Sequence, residues 1–150
     1  MCLVPENREE ITTEGGLDCA GSKPSLRPTI SCLKEAGVVV SLFIDPEESQ
    51  VIAAADLGAQ FVELHAGAFA NSLGADREIE LARLIKGAEL AHASGLNVNA
   101  GHGINLPEYP SYPPDSPSCG TQHRAFGIVS RAIFSGMETA VRQMLHLMNG

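Results

Sequence analysis

Leu96–Gly103 reads Leu-Asn-Val-Asn-Ala-Gly-His-Gly. Leu96, Val98 and Ala100 alternate with polar residues and run straight into a turn in which Gly101 and Gly103 flank His102. Such alternation marks a strand. The two glycines carry no Cβ, so the backbone can bend sharply there and approach a ligand closely. His102 is therefore expected at the mouth of the strand and not inside it. A surface turn with an incidental histidine would fit the same letters, and the rest of the chain decides between the two.

Upstream, Phe61–His65 (Phe-Val-Glu-Leu-His) is predicted as another strand, with Phe61, Glu63 and His65 on one side and Val62 and Leu64 on the other. Asp76–Ser94 lies between them as a helix, its stripe being Leu81, Leu84, Ala88 and Ala91, and Gly95 stops it. His92 falls near the helix C-terminus, where positive charge is favoured, and is read as structural. Val38–Ile44 is a β-branched apolar run, hence a strand buried on both faces. Asp45 is predicted as the N-cap and Pro46 as the first residue of a helix reaching about Leu57, with Val51, Ile52 and Ala55 inward.

Ser25–Ala36 reads as a helix whose regular part begins at Pro28 and whose inner face is Leu26, Ile30 and Leu33. Cys2-Leu3-Val4 is a short strand ended by Pro5, and Asn7–Asp18 is a polar, glycine-containing loop of the kind that reaches over a site. Gly136–Met148 is a helix with Ala140, Val141, Met144 and Met148 on one face. Strand and helix alternate through short links, so the strands are parallel and the helices are crossovers. Glu63, His65 and His102 then sit at or just after the C-terminal ends of strands, where parallel α/β folds place their sites.

Composition narrows the classes. The 150 residues suit one domain, and 44% hydrophobic with 19% charged residues supports a core. A net charge of −8 argues against a nucleic-acid surface. No apolar run approaches the ~20 residues of a membrane span, and no signal-peptide pattern opens the chain. Cys2, Cys19, Cys32 and Cys119 form neither a C-x-x-C pair nor a zinc spacing, so reduced thiols of a cytoplasmic protein and no metal are expected.

Five segments in order carry a resemblance: Cys2–Arg8 (CLVPENR), Thr12–Asp18 (TTEGGLD), Val40–Asp45 (VSLFID), Phe61–Gly67 (FVELHAG) and Val98–Gly103 (VNAGHG). They look like the successive strand-end motifs of the pyridoxine 5′-phosphate synthase family, and Ile128–Val141 resembles that family's last strand-to-helix region. The resemblance implies a (β/α)8 barrel, cytoplasmic and octameric, with no cofactor. It implies condensation of 1-deoxy-D-xylulose 5-phosphate with 3-amino-2-oxopropyl phosphate to pyridoxine 5′-phosphate, phosphate and water. Carried over by position, it makes His102 the proton donor and Glu63 a transition-state stabiliser. Thr12 would bind the deoxyxylulose phosphate and Gly103 the amino-ketone phosphate. Imidazole titrates near neutral pH, as repeated dehydration requires, and an inward carboxylate suits an iminium-like cation. His65 carries no implied role and reads as a core or supporting histidine.

The chain departs from the family pattern in two ways. A (β/α)8 barrel typically takes ~250 residues, whereas four strands and four helices are legible here, beginning at what resembles the fourth strand. The expected form is thus an incomplete barrel without the first three β/α units, with open edges at the Cys2 and Val98 strands. Pro107–Phe126 is the second departure: five prolines, no helical or strand period and no family motif. Codons for Glu-Leu-Asn-Ile-Gly-His-Ser, the family's eighth-strand motif, read one nucleotide out of register can give Gly120–Phe126 (GTQHRAF). We therefore read the segment as frameshifted, from near Leu106 to near Gly127, and the eighth strand as disrupted, a natural proline-rich loop being the alternative. The competing expectation is an inactive barrel fragment. An aldolase-type barrel would want a Schiff-base lysine at a strand end, but Lys23, Lys34 and Lys86 fall in or beside helices.

Overall fold

The computed structural model describes residues 1–5, 15–101, 119–123 and 125–149. Cys2–Leu3 (β1), Ser41–Ile44 (β2), Phe61–His65 (β3), Asn97–Gly101 (β4) and Cys119–His123 (β5) form one sheet in the order β1-β2-β3-β4-β5. All four pairings are parallel. Sequential order without reversal means that each right-handed crossover lands on the same face, as along the wall of a barrel. The crossovers are Lys23–Glu35 (α1), Glu48–Asp56 (α2), Gly67–Asn71 (α3) and Gly74–Ala93 (α4). Ala125–Ser135 (α5) and Met137–Asn149 (α6) follow β5 and pack on each other.

Strand alternation divides the sheet into two chemistries. On the helix side Val40, Leu42, Ile44, Val62, Leu64, Val98 and Ala100 share one core with Ile30, Val51, Leu84, Ala88 and Ala91. Leu26, Leu33 and Leu81 border it, so the predicted inner faces of α1 and α4 hold. The other face presents Ser41, Phe43, Glu63, His65 and Asn99. Phe43 is fully buried there, outside the helix-side core.

Several expectations need correction. Helix α2 starts at Glu48 with Glu47 as its N-cap position, and Asp45 is not its cap; that carboxylate is held elsewhere, as described below. Val51 is buried and Ala55 packs against the core as expected, but Ile52 is exposed and the small Ala53 and Ala54 are the residues buried beside Val51. Helix α1 begins at Lys23, with Pro24 in its first turn and Pro28 inside it. Pro28 is exposed, so water can satisfy the carbonyl that its missing N–H leaves unpaired. Short α3 was not foreseen.

The edge at the Val98 strand is also corrected. β4 is paired on its outer side by β5, which is the C-terminal part of the proline-rich stretch, so the described edges are β1 and β5. Cys-Gly-Thr-Gln-His has no hydrophobic period for a sequence reading to detect. It becomes a strand because backbone donors and acceptors along β4 require partners. The pairing slips between Val98 and Asn99, where Val98 faces Cys119 and Asn99 faces Thr121, so Gly120 is accommodated as a bulge.

Candidate active site

The polar face of β2–β4 gathers its chemistry toward the strands' C-terminal ends. Glu63 is the one charged residue buried among those described, at 5% exposure. Its carboxylate lies over Gly101 of the neighbouring strand. A Cβ built on Gly101 would fall 2.0 Å from Glu63 Oε1, so a glycine at this position is what gives the carboxylate its room. Cys2 of β1 approaches from the other side, its Sγ 3.9 Å from Glu63 Oε2. Burial pushes the Cys2 thiol up, opposed by its bond with Ser41 and reinforced by the Glu63 charge. The thiol therefore stays protonated beside the carboxylate.

One pleat further on, His65 is paired in register with Gly101. Its Nδ1 lies 2.9 Å from Asp45 Oδ1, and its ring meets Phe43 edge-on at 5.2 Å between centroids. The second oxygen of Asp45 accepts the Gly16 N–H at 3.1 Å. Leu17 N–H donates to the Phe43 carbonyl at 2.7 Å, so residues 15–17 are laid along the end of β2. Gly16 tolerates no side chain: a Cβ would fall 2.1 Å from Asp45 N and 2.5 Å from the Ile44 carbonyl carbon. The Gly101 carbonyl accepts from Ala66 N–H at 2.9 Å, which ties the ends of β3 and β4 together.

Of the residues singled out from sequence, Glu63 stands as expected on the polar face, with His65 on the same face beyond it. His102, Gly103 and Thr12 lie outside the described residues. Gly101, the residue that precedes His102 in the chain, is the last residue of β4. Sequence reading missed Asp45, because an acid before a proline at a strand end looks like a helix cap. It also missed Cys2 and Ser41, whose alternation in a two-residue strand and at a strand start is too short to assign a face. Among the described residues no group of three or more His, Cys, Asp or Glu could hold a metal ion. No helix there is long and apolar enough to cross a membrane.

A parallel sheet with a buried acid, a histidine and a glycine-rich segment at its strand ends is an α/β site. A family model described as "Pyridoxal phosphate biosynthesis protein PdxJ" matches residues 1–150. The chain belongs to the PdxJ family. The pyridoxine 5′-phosphate synthase of Akkermansia muciniphila is 54% identical over 144 residues, covering 96% of this chain and 58% of the relative. That of Opitutus terrae is 46% identical over 151 residues, covering 99% of this chain and 60% of the relative. A Synechococcus synthase is 46% identical over 146 residues, covering 96% and 58%. The chain thus spans 58–60% of the length of these PdxJ relatives. The family is one of vitamin B6 biosynthesis, and its fold is a TIM barrel, of which sequential parallel pairing with helices on one face is the expected local architecture.

Proposed function

We propose that this chain carries the strand-end chemistry of pyridoxine 5′-phosphate synthesis, joining 1-deoxy-D-xylulose 5-phosphate to 3-amino-2-oxopropyl phosphate with release of phosphate and water. The observation that carries the reading is the Glu63 carboxylate, buried at a parallel strand end in the space left by Gly101. A carboxylate there stabilises the cationic iminium that forms when the amine has added to a carbonyl and the resulting hydroxyl, once protonated, leaves as water. Low local dielectric strengthens that stabilisation. His102, one residue beyond β4, is the proton donor, and Thr12 and Gly103 bind the two phosphates. Backbone N–H groups at a glycine turn suit an anion. A cytoplasmic octamer without cofactor belongs to the same reading.

A second reading has its own observation. Among the described residues the sheet is open, with edges at β1 and β5, whereas a barrel site draws residues from strands all round the ring. On that reading the chain is an incomplete barrel with a partial site and no turnover. The test is production of pyridoxine 5′-phosphate from the two phosphorylated substrates by the purified chain. Product that disappears in His102→Asn and Glu63→Gln supports the first reading; absence of product from the unaltered chain supports the second. We also propose that Pro107–Phe126 arises from reading out of register. Sequencing the encoding DNA independently tests this: an uninterrupted frame giving Glu-Leu-Asn-Ile-Gly-His-Ser in place of Gly120–Phe126 upholds it.

A further inference from the structure

We propose that Cys2 is a positioning residue for Glu63: its S–H donates to Glu63 Oε2 and, together with the space over Gly101, fixes where that carboxylate stands. What the carboxylate is held for, a cationic intermediate, rests on the synthase reading above. Cys2 pairs in register with Ser41, and Ser41 with Phe61, so these side chains share the polar face with Glu63. β1 and β3 are not neighbours, and across a flat sheet their backbones would lie about 9.6 Å apart. Cys2 Sγ nevertheless stands 3.9 Å from Glu63 Oε2. On the other flank Gly101 leaves room for Oε1, where a Cβ would fall 2.0 Å away. Residues of β1, β3 and β4 thus converge on one carboxylate, as on the concave side of a barrel wall. Phe43, paired with Glu63 in register and fully buried, lowers the local dielectric and so strengthens the bond.

The kind of donor matters. An ionised carboxylate only accepts, so the thiol is the donor of the pair. Burial pushes the Cys2 thiol up, Ser41 pulls it down, the Glu63 charge pushes it up and the Met1 amine pulls it down; the balance lies above the ordinary 9.0. The sulfur therefore carries its proton at neutral pH. A lysine or arginine in this place would orient the carboxylate but would also offset its charge. A neutral donor orients it and leaves its negative charge for a cation formed beside it. Cys2 acts through Glu63 and not on the reacting atoms.

The S–H stretching band in infrared spectra of the purified chain reads this bond directly, with Cys2 assigned by the Cys2→Ala difference. The unaltered chain is expected to show the band below the wavenumber of a free thiol. Glu63→Gln, whose amide is a weaker acceptor, should move it back toward the free position. Alkylation of the exposed Cys2 by iodoacetamide, followed by peptide mass against pH, should begin at lower pH in Glu63→Gln, because the charge that opposes the thiolate is gone. With the two phosphorylated substrates, Cys2→Ala should lower kcat about tenfold and leave KM nearly unchanged. A free-thiol band in the unaltered chain overturns the proposal, whether or not any variant folds. So does a folded Glu63→Gln protein with band and alkylation profile unchanged, or an unchanged kcat in Cys2→Ala. An unaltered chain that shows the lowered band but makes no product upholds the bond and overturns the synthase reading of its purpose.

Discussion

Glu63 and Gly101 form a fitted pair across two strands, and the fit can be measured. A methyl group at position 101 would sit 2.0 Å from Glu63 Oε1, which real atoms do not tolerate. Gly101→Ala is expected to destabilise the fold by roughly 1–3 kcal/mol through overpacking. Combined with Glu63→Ala, the loss should be less than the sum of the two, because the second change removes the atom that the first one strikes. Urea unfolding of the four proteins of this cycle checks it; strict additivity would mean that the carboxylate does not occupy that space. The pair was half legible in sequence. Alternation placed Glu63 on a face, and the glycine was read for its backbone freedom, whereas its use here is the absence of a side chain against a neighbouring strand.

Helix α4 shows how packing reverses a local preference. Gly87 lies mid-helix, where Ala is ordinarily better by ~1 kcal/mol. Here α4 crosses the start of α2, and a Cβ on Gly87 would fall 2.8 Å from Pro46 Cβ and 2.9 Å from its carbonyl oxygen. Arg83, one turn earlier, ties the same crossing by an ion pair to Glu47, and Glu80 of the same helix steadies the guanidinium at 2.7 Å. Gly87→Ala should therefore lower the thermal midpoint, with a cost of roughly 1–3 kcal/mol that exceeds the helix gain. A raised midpoint would show that α2 and α4 can separate freely. The periodicity of α4 was plain from Leu84, Ala88 and Ala91, but nothing in the letters says which helix crosses at residue 87.

At the scale of the whole molecule the core and the edges set the behaviour. Cys19 is fully buried in the helix-side core, and burial, with help from Asp18, pushes its thiol from 9.0 up to about 11. Below pH 9 the thiol is protonated whether folded or unfolded, so this group leaves stability unchanged. Between pH 9 and about 11 the unfolded thiol ionises while the folded one stays protonated, so stability falls as pH rises through that window. Cys19→Ala should flatten this alkaline fall relative to the unaltered chain in thermal melts. The β1 edge is the other feature. Met1, Val4 and Val39 are 65%, 47% and 51% exposed beside β1, which among the described residues is paired on one side alone. Such edges pair with other chains. Light scattering should reveal concentration-dependent self-association that Val4→Lys reduces; identical scattering from both proteins would acquit the edge.

Sequence by itself determined the alternation of strand and helix, the parallel sheet and the polar face on which Glu63 and His65 stand. Those properties follow from periods of 2 and 3.6 residues and from glycine and proline stops, all of which are local. Tertiary structure decided what depends on neighbours distant in the chain. Asp45 became an anchor for Gly16 and His65, because those groups lie 29 and 20 residues away and reach it only when β2, β3 and the preceding segment converge. Cys119–His123 became a strand although its letters lack a strand's pattern, because the outer side of β4 offered hydrogen bonds that only pairing could satisfy.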